Sequence, residues 1–301
     1  MSENRTTPIK EAEKLSMPEL TFHPSHPTNS ANSVSFRVTE RNLWGVSCDK
    51  TETAFRLERE SYRMCLHQGL LWLPCPVANI LDVYSCTGTL HRSLPCTGVR
   101  APKAIHPLTD MQLLIAAESG LYVYNTENQA VSHTLIQGDF MDVHKSETNM
   151  VAVEHSAVSH TVHVFQGDDP PTHSHSFSLN HSFAVTALTH KDHVYVSACL
   201  SSTSVCKYTL AGDLVSKWGK RSEGQAPGEL AFPLVCTVDN EGSICIVDAI
   251  NHSLQMISNS GEFSVLVSRD KLERPSDVVF VGEKMLLLQK DESIETFEIT
   301  N

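Results

Sequence analysis

The chain has no run of 18 apolar residues, so no segment reads as a membrane-spanning helix, and no membrane partner is expected. Its first twenty residues carry Glu3, Glu11, Glu13 and Glu19 without an apolar block, so a secretory leader is not expected either. The nine cysteines include no Cys-x-x-Cys pair, which removes zinc ribbons, B-boxes and RING-type fingers. Their number is odd, and some lie inside apolar runs, as Cys245 does between Ile244 and Ile246. Packed, reduced thiols in a cytoplasmic protein are the expectation. Cations are scarce: 23 Lys and Arg stand against 35 Asp and Glu, a net charge of −12. That balance argues against a surface that coats nucleic acid, and DNA is not expected as a partner. Gly-x-Ser-x-Gly, a phosphate-cradling glycine loop and His-Glu-x-x-His are all missing. No catalytic residue, cofactor or metal is therefore nominated.

What the chain does contain is a rhythm. Apolar runs recur at 70–73, 113–116, 150–153, 194–197, 244–247 and 285–288. An alternating, strand-like stretch follows each, at 79–85, 120–125, 161–166, 204–210, 253–258 and 293–299. A period in the low forties made only of short strands means one small sheet per repeat. Such a sheet alone leaves an apolar face wet, so neighbours must stack and close into a ring. The pattern predicts an all-β, six-bladed β-propeller over residues 34–301, preceded by an irregular, proline-containing arm at 1–33. Seven blades is the alternative count, if residues 39–60 form a vestigial extra one. The last repeat ends after its third strand, so an N-terminal strand should complete it, and Val34–Val38 is the expected donor.

The fifth repeat is the most regular. Leu234–Asp239 alternates as an inner strand, Ile244–Asp248 follows a turn at Gly242, and Asn251 and His252 lie in the loop that leads to the third strand, Ser253–Ser258. Gly261 turns the chain into Glu262–Val267. Pro227, Gly228, Leu230, Pro233, Val238, Asp239, Gly242, Ile246, Val247, Asp248, Asn251, His252 and Gly261 together resemble the NHL repeat. The likeness is specific in the fifth repeat, within 218–263, fair in the fourth and a rhythm elsewhere; Ser253 and Leu254 depart from it, where Arg-Ile or Arg-Val is usual, as do the loops Pro74–Ala78 and Glu118–Gly120. The resemblance implies a role like that of the C-terminal propeller of tripartite-motif NHL proteins. There the propeller recognises a protein or an RNA, and a separate RING module transfers ubiquitin.

In such a propeller, the loops after second and fourth strands share one face. The inter-blade loops there hold Arg100, Lys103, Lys220, Arg221, Arg269, Lys271 and Arg274, with Asn251 and His252 in the fifth blade's own loop. These nine form the candidate rim for a protein partner or for RNA phosphates. Glu223, Glu229, Asp270, Glu273 and Asp277 lie among them, and mixed signs are what ordinary solvated loops carry. Half of the 16 histidines fall between His155 and His193. His160, His163, His173 and His175 could seed a metal site, but strand placement should separate them, and no supporting carboxylate is evident. Some six-bladed propellers are hydrolases or lyases with inward polar groups along the axis. The expected inner strands here offer few polar groups at one level. The best reading is a non-enzymatic module that binds a protein partner through its loop face, with RNA binding as the alternative.

Overall fold

The computed structural model describes residues 38–39, 44, 46–156, 159–179, 184–199, 203–239 and 241–300. The arm at 1–33 lies outside the described residues. Six sheets of four antiparallel strands each make up the described residues, the fifth of them extended by a short parallel strand, together with a two-stranded parallel ribbon (Lys220–Arg221 with Glu229–Leu230) and one short 3₁₀ turn, Arg269–Lys271. Their inner strands are Cys65–His67, Pro102–Thr109, Asp139–Lys145, Ala184–His190, Pro233–Asp239 and Pro275–Val281. Each inner strand packs against the next, and the last returns to the first, so the sheets form a ring. This is a six-bladed β-propeller.

The apolar runs seen in the sequence are the second strands, and the reason they are continuous is two-sided burial. In blade 6, Met285 and Leu287 point into the core shared with blade 5, while Leu286 and Leu288 point into the core shared with blade 1. In blade 2, Leu113 and Ile115 join the core with blade 1, and Leu114 and Ala116 the core with blade 3. Six such cores lie between the six pairs of neighbouring blades. The outer strands show the converse: Leu90–Pro95, Ala130–Ile136, Thr172–Leu179 and Leu214–Trp218 are largely exposed.

Ring closure uses the N-terminal part of the chain, but not the expected strand. Ser47–Arg56 pairs antiparallel with Ser293–Thr300 and is the outer strand of blade 6. Of the expected donor Val34–Val38, residues 34–37 lie outside the described residues. Val38–Thr39 instead pairs parallel with Val238 and Asp239 on the free edge of blade 5's inner strand. Of the stretch 39–60, the described residues 46–60 are a closing strand and its connection to blade 1, not an extra blade. Closure is reinforced by Lys50–Glu295 (3.0 Å) and Arg56–Asp291 (2.9 Å) pairs. Phe55 also stacks on Tyr84 of blade 1, with ring centroids 5.6 Å apart.

A truncation that removes residues 1–37 keeps every described strand pair and should still melt in one cooperative step. Removing residues 1–56 opens the edge of blade 6 and should abolish that step or cause aggregation. Calorimetric melts of the two truncations decide it, and identical melts would show that Ser47–Arg56 does not close the ring.

Candidate functional site: the loop face and the axis

Antiparallel order places the loops after second and fourth strands on one face, and all nine predicted rim residues belong to that face. They do not form one patch. Arg100 and Lys103 sit where blade 1 meets blade 2, across the ring from the remaining seven around blade 5.

Most of the cations are already engaged. Arg100 Nε is 3.4 Å from Glu118 Oε2, and Lys103 is paired with Asp139. Lys220 Nζ is 3.4 Å from Glu229 Oε1. The Ala226 amide, donating at 3.2 Å, holds the Glu229 carboxyl below its ordinary range, with the Ser222 hydroxyl and Lys220 adding to the effect. Lys271 Nζ donates to the Cys48 carbonyl (3.2 Å) and lies 3.4 Å from Asp49. Arg269 donates to the Ile250 carbonyl at 3.4 Å. Arg221 and Arg274 are exposed and, among the described residues, have no carboxylate partner. Phe232 and Trp218, the nearest aromatics, are half-buried against inter-blade cores.

Asn251 requires a correction: it is fully buried and cannot line a rim. Its Nδ2 donates to the carbonyls of Ser222 (3.0 Å) and Glu229 (3.1 Å). Asp248, equally buried, accepts from the amides of Ala231 (2.7 Å), Phe232 (2.9 Å) and Asn251 (3.1 Å). Gln255 closes the set, donating to the Glu229 carbonyl and accepting from the Gly228 amide, both at 3.0 Å. The residues that make the fifth repeat look distinctive are therefore a brace, satisfying the backbone of the loop that enters blade 5. His252, half-buried with φ of 54°, accepts from the Arg274 amide at 3.1 Å and so anchors the neighbouring loop.

The axis holds what the sequence reading missed. Arg63 is buried, with Nη2 2.7 Å from Asp142 Oδ2 and Nη1 3.3 Å from Asp277 Oδ1. Asp277 also accepts from the Met64 amide (2.9 Å), and Asp142 from the Ala187 amide (3.2 Å). Five groups from blades 1, 3, 4 and 6 thus meet at one level. The neighbouring aspartates hold Arg63 protonated against the desolvation of its buried site. One rung along, Thr186 Oγ1 accepts from the Val235 amide (2.8 Å), tying blade 4 to blade 5. His144 Nδ1 accepts from the Thr189 amide (3.2 Å), with its ring 4.6 Å from that of His106. The expectation of few polar groups along the axis is thus corrected. A signal existed: Asp142 and Asp277 both lie within expected inner strands, and buried carboxylates need a cation.

The histidine-rich stretch is also rearranged relative to expectation. His163 and His173 lie together, with His163 Nδ1 3.3 Å from His173 Nε2, and His163 Nε2 is 2.9 Å from Glu154 Oε2. His160 pairs instead with His155, 2.8 Å between ring nitrogens, and His175 Nε2 donates to the Leu210 carbonyl at 2.7 Å. His181 lies outside the described residues. Among the described residues, no group of three or more His, Cys, Asp or Glu side chains is arranged to hold a metal ion. None of the nine cysteines is in a disulfide, and all but Cys86 are buried.

Neither a family model nor a curated protein matches this chain. Solved structures do. A structural-genomics protein of unknown function from Bacteroides thetaiotaomicron aligns with a TM-score of 0.62 at 16% identity, covering 88% of this chain and 75% of that one. Virginiamycin B lyase from Staphylococcus aureus aligns at 0.58 and 11% identity, covering 84% and 99%. The Dos1 propeller aligns at 0.54 and 10%, covering 80% and 68%. Identities this low establish a shared fold and leave the chemistry to this chain's own residues.

Two outcomes follow from the site. Arg63→Met leaves two buried carboxylates without their cation and should cost about 3–5 kcal/mol of stability, read by denaturant unfolding. A loss within experimental error would mean that the axis does not depend on this pair. Separately, burial pushes His67, His160, His173, His190 and His193 below the ordinary imidazole value. The unfolded chain then binds more protons than the folded one below about pH 6.5, so stability is complete above that value and falls on acidification. Melting temperatures flat between pH 7 and pH 5 would contradict the assignment.

Proposed function

We propose that this chain is a cytoplasmic, non-enzymatic interaction module whose loop face docks a protein partner. It would act as a scaffold or substrate-recognition domain related to tripartite-motif NHL ubiquitin ligases. The observation that carries the reading is a contrast on that face. Four of the seven rim cations are neutralised by neighbouring carboxylates, while loop residues Tyr62, Val77 and Ile250 expose apolar surface, Val77 to 86%. Apolar and aromatic anchors in a polar surround are what protein recognition uses. Nine cysteines outside any disulfide, eight of them buried, support a reducing compartment. RNA binding is the second reading, and the exposed Arg221 and Arg274 are what favours it.

Capture of partners from lysate, with and without RNase, separates the two. Val77→Asp combined with Ile250→Asp should weaken an RNase-resistant partner by about tenfold or more, as loss of central anchors does. Arg221→Ala with Arg274→Ala should leave that partner bound. Tight, salt-sensitive binding of single-stranded RNA, lost in the arginine pair, would reverse the order of the two readings.

A further inference from the structure

Blade 3 carries a line of side chains that neither the loop face nor the axis uses. Glu154 comes from its second strand (Asn149–His155), His163 from its third (His160–Gln166) and His173 from its outer strand (Thr172–Leu179). A carboxylate can only accept, so the 2.9 Å contact with Glu154 keeps the proton of neutral His163 on Nε2. The Nδ1 lone pair then faces His173 Nε2 at 3.3 Å. The nearby His155–His160 pair, at 2.8 Å, shows the spacing of a direct imidazole hydrogen bond. Two nitrogens bound to one tetrahedral ion at about 2.0–2.1 Å each stand roughly 3.3–3.4 Å apart.

The surroundings fix this geometry. Phe140 lies 5.4 Å from the His163 ring, and Phe165 meets the His173 ring edge-on at 5.2 Å. Glycine at 138 leaves room for the carboxylate, because a Cβ there would collide with Glu154 Oε1. His173 is exposed, so an ion has a way in.

We propose that His163 Nδ1 and His173 Nε2 form a two-histidine site for a borderline-soft divalent ion of the zinc, copper and nickel class, with Glu154 orienting His163. The carboxylate–histidine arrangement is the one that raises ligand basicity at protein metal sites. With only two protein ligands, water completes the coordination, and binding is reversible. The ion would tie the outer strand of blade 3 to the strand beside it.

The test is calorimetric titration of the full chain with Zn²⁺ alone, beside paramagnetic broadening of imidazole NMR signals by Ni²⁺. The expected result is saturable Zn²⁺ binding that His173→Gln weakens at least tenfold and Glu154→Gln weakens about tenfold. Both variants should melt like the parent without metal, since His173 is exposed and Glu154→Gln keeps an acceptor. The signals of His163 and His173 should broaden first, and His193→Gln should change nothing. Absence of saturable binding, or binding indifferent to His173→Gln, overturns the proposal.

Discussion

Every blade is a sheet with two apolar faces, and that single constraint organises the molecule. A sheet covered on one side only would leave half of its second strand in water, at roughly 25 cal/mol for each Å² of apolar surface. Neighbours on both sides remove the problem for interior blades but not for a first and a last. Only a ring gives every sheet two neighbours, and the six inter-blade cores satisfy that condition. Blade 6 therefore has to be built from both parts of the chain, three strands from residues 275–300 and the fourth from Ser47–Arg56. Its core with blade 1 contains Leu57 beside Leu288 and Ile294, residues more than 200 positions apart, so no local stretch can form it.

Closing the ring creates a second difficulty, at the axis. Six inner strands converge there, and apart from the stretch of blade 5 that Val38–Thr39 covers, their free edges present amides and carbonyls with no next strand to meet. Arg63 answers part of it. The closing strand delivers the chain to Leu57, the following turn bends inward, and the guanidinium ends between Asp142 and Asp277. Their carboxylates in turn accept amides of Met64 and Ala187. Closure and axis filling thus belong to one piece of chain. A buried ion cluster of this kind adds little net stability compared with apolar filling, because desolvation offsets the attraction. What it contributes is register: any slip of blade 3 or blade 6 by one residue would turn a buried aspartate away from its cation.

The same burial logic explains which parts were legible from sequence. Second strands are buried on both faces and so read as unbroken apolar runs; all six stand where the periodicity put them. Third strands, also buried over most of their length, were readable as well. Outer strands such as Thr172–Leu179 face water along most of their length and resemble loops. The closing strand was misplaced for two reasons. Its residues are mostly polar, and register shifts between Lys50 and Glu52 and between Thr53 and Phe55 break the alternation. Val34–Val38 looked more strand-like, because propensity reports fit to a half-buried surface rather than position in a fold. Arg63 was invisible because its significance depends on aspartates 79 and 214 residues away.

Legibility of the candidate site runs the other way from legibility of the fold. Asp248 and Asn251 helped give the fifth repeat its recognisable face, and both are buried and occupied with backbone groups, as is Gln255 beside them. A motif that braces a loop is conspicuous because the geometry it satisfies is demanding, and it carries no information about what the loop contacts. Residues free to acquire a function lie where folding asks least, on exposed loops and outer strands. Val77, Ile250, Arg221 and Arg274 are of that kind on the loop face, as is His173 on the outer edge of blade 3. In a fold this repetitive, the blades that depart from the common pattern, rather than those that keep it, are where specific chemistry has room to arise.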